Sequence, residues 1–152
     1  MERSVLEEAI YNRYIVPTRR KRTHLAGLEF ELPIVNEKNE PVNFEVIYQV
    51  TDRFIDTFSF LNVSRDDNEH IYLAVDDKTG DGLSYDCSYN TLEFSFGKEE
   101  DMNVLYKRFC QYYTYIQNEL RKEGHMLTGM GINPRYAVNQ NVPVVSERYR
   151  ML

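Results

Sequence analysis

The chain has 152 residues, 42% of them hydrophobic and 28% charged, with a formal net charge of -6. A chain of this size buries roughly two-thirds of its unfolded surface around one core, so no disulfide or structural metal is needed to hold it. The acidic balance argues against nucleic acid, which is bound by neutralising phosphates with Lys and Arg, and no apolar run approaches the roughly 18 residues of a membrane span.

Met1 to Glu8 carries acidic residues at helical spacing where a secretion signal would need a basic end and an apolar run, which places the chain in the cytoplasm. From Ser4 to Ile15, Val5, Leu6, Ala9, Ile10 and Ile15 mark one face of a short helix, with Ser4 as its N-cap and Pro17 just beyond it. The basic run Arg19-Arg20-Lys21-Arg22 follows and reads as a solvated loop. Leu25 to Val35 alternates Leu28, Phe30 and Leu32 with Glu29 and Glu31, the period-two pattern of a strand, and Asn36 to Pro41 is a loop. Between Asn43 and Leu61, the residues Phe44, Ile47, Val50, Phe54, Phe58 and Leu61 recur every three or four positions, which predicts a long amphipathic helix capped by Asn43.

Three strands are predicted next, His70 to Val75, Leu83 to Ser88 and Thr91 to Phe96, joined by hairpin turns at Asp77 to Gly82 and at Tyr89-Asn90. A second long helix spans Glu99 to Glu123. Its stripe is Met102, Leu105, Phe109, Tyr113, Ile116 and Leu120, with acids in the first turn and Gly124 at the stop. A short strand over His125 to Gly131 leads into a polar tail, and Ser146 to Leu152 reads as the opening of a further helix. Hairpins interrupted by long helices give an α+β fold, an antiparallel sheet with two amphipathic helices packed on one face, in a single domain over 1–152. Cys87 and Cys110 have neither metal-ligand spacing nor scaffold density and read as free thiols. His24, His70 and His125 are scattered and form no site.

Three segments carry candidate chemistry. In Gly27-Leu28-Glu29-Phe30-Glu31-Leu32 the two-residue repeat puts both carboxylates on one face, where a hard cation such as magnesium would relieve their repulsion. The same pattern also describes a solvent-facing strand with ordinary polar alternation. Thr91-Leu92-Glu93-Phe94-Ser95-Phe96 directs Glu93 away from its apolar neighbours, and in a shared sheet Glu93 would be a third oxygen ligand. Gly129 to Pro134, followed by Arg135, is a sharp turn carrying a cation, either structural or ligand-binding.

In this order the segments resemble the glutamate-cysteine ligase family and its carboxylate-amine ligase relatives, members of the glutamine synthetase-like fold group. The family's opening G-x-E-x-E strand is matched by Gly27, Glu29 and Glu31, its later x-L-E strand by Thr91-Leu92-Glu93, and its G-x-x-P turn and R-Y pair by Gly131-Ile132-Asn133-Pro134 and Arg148-Tyr149. The resemblance spans Leu25 to Leu152. It departs where some relatives place a histidine at Asn133 and where plant-type relatives have a glycine pair in place of Ser88-Tyr89-Asn90. What it implies is Mg2+ held by Glu29, Glu31 and Glu93, ATP as phosphoryl donor, Arg148 contacting a substrate carboxylate or phosphate, and small-molecule substrates, glutamate and an amine such as cysteine. The family's enzymes are longer, so the chain is expected to be the amino-terminal portion of a catalytic domain, inactive alone. The alternative is a non-catalytic protein-binding α+β module that presents its twelve tyrosines, Tyr112, Tyr113 and Tyr115 among them, to a partner.

Overall fold

The computed structural model describes residues 4–19, 23–85, 87–138, 142–147 and 149. Six strands, β1 (Ala26–Asn36), β2 (Asn62–Arg65), β3 (Ile71–Val75), β4 (Gly82–Tyr85), β5 (Thr91–Glu99) and β6 (His125–Leu127), form one antiparallel sheet in the order β2-β3-β4-β5-β1-β6. Helices α2 (Phe44–Phe58) and α3 (Met102–Lys122) cover its apolar face, as the alternation of apolar and polar residues predicts. A third, short helix, α1 (Val5–Ile10), lies outside this layer.

The core is where the two periodicities meet. Leu92, Phe94 and Phe96 of β5 and Leu32 and Ile34 of β1 are buried against Ile47, Val50 and Phe54 of α2 and Leu105, Tyr112, Ile116 and Leu120 of α3. Phe54 contacts both Phe94 and Tyr112, at ring separations of 6.0 and 5.3 Å, so one side chain joins the sheet to both helices. Phe109 stacks on Phe30 at 4.3 Å, and Tyr113 stacks on Phe109 at 5.4 Å. The stripe of α3 is therefore carried by Tyr112 as well as the predicted positions, while Met102 is 46% exposed.

Helix ends follow local chemistry. Asn43 caps α2 as predicted, accepting from the Glu45 amide at 3.1 Å. α2 stops at Phe58, before the predicted Leu61, because Ser59 turns left-handed at φ 56° and returns its amide to the Ile55 carbonyl. α3 starts at Met102, capped by Asp101, and not at Glu99, since Glu99 is still paired with Ala26 in the sheet. The acids expected in its first turn are thus the end of β5 and the cap. Ser4 closes a capping box with Glu7 at the start of α1. The helix then continues as a π turn over Tyr11–Ile15 and a 3-10 turn over Val16–Arg19, so Pro17 lies inside the helical segment and not beyond it. Among the described residues the backbone of this arm does not pack against the sheet, α2 or α3, and Val5 and Leu6 are 88% and 69% exposed. Arg19 lies over the Tyr11 ring; Arg20, Lys21 and Arg22 lie outside the described residues.

A buried polar network pins the β3-β4 hairpin. Asp81, fully buried, accepts from the Gly97 amide at 2.9 Å and the Tyr112 hydroxyl at 3.1 Å, and the Arg108 guanidinium lies 3.3 Å away while also reaching Glu99 at 3.2 Å. Opposite Gly27 the ladder bulges: Ala26 pairs with Glu99 and Leu28 with Phe96, so Gly97 and Lys98 together face one residue. A Cβ on Gly97 would lie 1.8 Å from the Thr79 carbonyl oxygen, which makes glycine obligatory there.

Candidate functional site

The second face of the sheet takes the alternate residues. Register places Glu31 directly opposite Glu93, Glu29 opposite Ser95, and Ser84 of β4 on the other side of Glu93. Residues directly opposite one another project from the same face, so Glu29, Glu31 and Glu93 share the face turned away from α2 and α3. Glu29 and Glu31 are exposed and Glu93 is half-buried.

Sharing a face is not convergence. A cavity of about 240 Å3 on this side is lined by Glu29, Leu73, Ser84, Glu93, Ser95 and Tyr149, among others, and Glu31 does not line it. Among the described residues no three His, Cys, Asp or Glu side chains stand close enough to hold a metal ion. The three expected carboxylates thus share one face, with Glu29 and Glu93 lining the cavity beside Ser84 and Ser95 and Glu31 outside it. Like charges on directly opposed strand positions repel, which leaves Glu31 in solvent beside Glu93. The remaining donors are all hard oxygens, and magnesium is usually held by one or two carboxylates with waters and phosphate oxygens completing its shell. Glu29 and Glu93 with Ser84 and Ser95 are oxygen donors in the cavity lining, short of a three-ligand group that would hold a metal ion by itself.

The tail delivers Tyr149 to the cavity. It runs past the β4-β5 connection and the β2-β3 turn, where the Tyr89 amide donates to Val142, the Val144 amide to Cys87, and the Asp67 amide to Val145, at 3.1, 3.0 and 2.9 Å. Val144 is buried beneath it. Arg148, the expected substrate contact, lies outside the described residues.

The loop Gly131-Ile132-Asn133-Pro134 packs on the far end of β1. Asn133 accepts from the Arg135 amide at 2.9 Å and reaches the Ile34 carbonyl at 3.5 Å, while the Arg135 guanidinium donates to the Asn36 carbonyl. Arg135 is thus committed to the backbone of β1. The histidines are equally remote. His24 is exposed, His70 stacks on Tyr48 at 3.6 Å, and His125 is buried with Nε2 accepting from the Asn43 amide and Nδ1 against the Glu123 carbonyl. Neither Cys87 nor Cys110 is in a disulfide.

Strand alternation already put Ser95 beside Glu93. Ser84 and Leu73 needed cross-strand register, which no single segment states, and Tyr149 needed the path of the tail. No protein-family model, no curated protein and no solved structure matches this chain. No helix among the described residues is long and apolar enough to cross a membrane.

Proposed function

We propose that this chain is the amino-terminal part of an ATP- and Mg2+-dependent ligase that joins a glutamate carboxylate to an amine through an acyl phosphate, similar to glutamate-cysteine ligase. The observation that supports the reading is that Glu29 and Glu93, from two of the motifs that carry the resemblance, line one cavity on the sheet face turned away from α2 and α3. Phosphoryl transfer is catalysed mainly by positioning and charge neutralisation, with little covalent work for the protein. A bound magnesium ion would supply charge neutralisation on phosphate oxygens. Glu29 and Glu93 would fix its position, Ser84 and Ser95 would hydrogen-bond polar groups beside it, and the rigid β1-β5 ladder would keep the carboxylates in place. This rests on no nucleophilic Cys or His, and His125 is held between the Asn43 amide and the Glu123 carbonyl.

Calorimetric titration of residues 1–152 with MgCl2 tests the reading. Saturable binding that weakens on Glu29→Gln and on Glu93→Gln is expected, with ADP release at background in the presence of ATP, glutamate and cysteine. Absence of any saturable Mg2+ binding would remove the support for a ligase. The protein-binding alternative loses the tyrosine face of α3, because Tyr112 is buried and Tyr115 is engaged with Thr57 and the Arg53 carbonyl. It keeps exposed Tyr14, Tyr106 and Tyr136 and the exposed apolar arm around Val5 and Leu6. Deleting residues 1–19 without loss of Mg2+ binding would assign the two surfaces to separate roles.

A further inference from the structure

We infer that the outer edge of β1 over residues 29–31 takes an extended protein segment as a further strand, one with basic residues at alternate positions and apolar residues between them. The inference stands apart from the ligase reading.

The backbone leads to it first. Residues 33 and 37 turn their polar groups toward β6: the Thr128 amide donates to the Pro33 carbonyl at 2.9 Å and the Glu37 amide to the Gly124 carbonyl at 2.8 Å. Ile34 turns the other way and donates to the Asn90 carbonyl at 2.8 Å. Backbone groups alternate sides along a strand, and the pairing of β1 with β5 runs without a shift from Leu28 to Pro33. The amides and carbonyls of Glu29 and Glu31 therefore also point to the β6 side. β6 pairs with Ile34, Val35 and Asn36 and ends where Pro33 has no N–H to give. Among the described residues no strand continues it along residues 29–31. Burial changes at the same point, for β1 is buried from Leu32 to Val35 and alternates between half-buried and exposed from Ala26 to Glu31.

Side chains then define the occupant. On one face of this edge stand the exposed carboxylates of Glu29 and Glu31. On the other, half-buried Phe30 stacks on Phe109 at 4.3 Å, and Phe109 on Tyr113 at 5.4 Å. Gln117 of α3 accepts from the Leu127 amide of β6. Tyr113 and Tyr106, one and about three turns earlier on that flank of α3, continue along the edge beyond β6, and Tyr106 is 65% exposed. An added strand meets the carboxylates through alternate side chains and this aromatic shelf through those between. A second copy of β1 does not suit the edge, because pairing would oppose Glu29 and Glu31 with like charges. Opposite charges at those positions attract, which selects Lys or Arg.

The labelled peptide Thr-Lys-Val-Lys-Val-Lys-Thr tests the inference, by fluorescence anisotropy and by amide hydrogen exchange of residues 1–152 at about 0.15 M salt, where diffuse attraction is largely screened. The Glu29 and Glu31 amides are expected to gain protection, while those of Phe30 and Leu32, which face β5, stay as they were. Glu31→Lys, a surface change outside the cavity, should weaken binding by about tenfold as attraction becomes repulsion in an opposed pair. A peptide with Glu in place of Lys should not bind. One N-methylated at its lysine amides keeps the charge and loses its ladder donors, and should bind at least about tenfold more weakly. Equal binding of the methylated peptide, binding that leaves Glu29 and Glu31 unprotected, or no binding at about 1 mM peptide would each overturn the inference.

Discussion

The close approach at Gly97 allows the sheet's architecture to be tested by a single methyl group. In Gly97→Ala the new Cβ would lie 1.8 Å from the Thr79 oxygen and 2.9 Å from its carbonyl carbon, both backbone atoms that no rotamer change can move. Relief to at least 3.0 Å requires the β3-β4 connection or β5 to shift by more than an ångström. The connection resists, since it is cross-braced by Gly80 to Asp76 and Asp76 to Asp81 backbone bonds and by the Asp76 carboxylate on Lys78 and Thr79. A shift there also parts the Gly97 amide from buried Asp81. Overpacking costs about 1–3 kcal/mol, and a lost hydrogen bond to a charged group about 1.5–3 kcal/mol, so the variant should lose about 4 kcal/mol. With roughly 2–4 °C per kcal/mol at this chain length, Tm should fall by about 10 °C. Gly129→Ala is the control, having nothing within 4 Å of its Cβ, and should be nearly neutral. Urea unfolding at constant m would measure both. A loss below about 1 kcal/mol at Gly97 would show that the hairpin is not packed on β5 as described.

Arg108→Met should cost about 3–5 kcal/mol by leaving Asp81 buried without its cation, and adding Asp81→Asn in a double variant should recover part of this in the same urea titration. Phe109→Ala removes a half-buried ring stacked on Phe30 and Tyr113, for about 3 kcal/mol, the low end of the range for buried aromatics; a value below about 1 kcal/mol would favour an exposed stripe. Burial pushes the phenols of Tyr85, Tyr89 and Tyr112 well above their ordinary value, with the Thr51 hydroxyl opposing this at Tyr85 and Asp66 and Asp81 adding to it at Tyr89 and Tyr112. Below about pH 10, where a phenol in the unfolded chain is protonated, their contribution to stability is complete; above it the unfolded chain binds fewer protons than the native one, so stability should fall by up to about 1.4 kcal/mol per pH unit for each phenol. Unfolding midpoints that stay flat from pH 9 to 11 would contradict that burial.

Where one segment contains both the cause and the effect, the structure could be read in advance. Asn43 caps α2 because its own side chain meets the next amides, and Gly124 ends α3 at φ 68° because no side chain opposes that conformation. The alternation in β1 and β5 fixed which residues of each strand face together, which is why Glu29 and Glu31 share a side and Glu93 leaves the core. Long-range pairing is a different kind of information. β2 reads Asn62-Val63-Ser64-Arg65, polar enough to pass for a loop, and becomes a strand only because β3 offers it an edge. Tyr112, outside the predicted stripe of α3, is buried where Asp81, 31 residues earlier, supplies an acceptor for its hydroxyl. The cavity depends on the same kind of pairing. Its serines come from two strands and its tyrosine from a tail whose course is set by bonds to Cys87, Tyr89 and Asp67.

The helix-free face also has a physical reason to remain open. Covering it as α2 and α3 cover the other side would bury Glu29 and Glu31, which are exposed, and an ionised carboxylate withdrawn from water without a partner costs several kcal/mol. Two such groups would offset the gain from several apolar side chains, since burying a large aliphatic or aromatic side chain contributes about 1.5–3 kcal/mol. The described part of the tail packs Val144 near the turns and brings the amphipathic Tyr149 to the cavity. A cation changes that balance by neutralising the charge that keeps the face wet. Ion binding and closure of this face should therefore be coupled, and residues added over it would be stabilised by the same ion that Glu29 and Glu93 would hold.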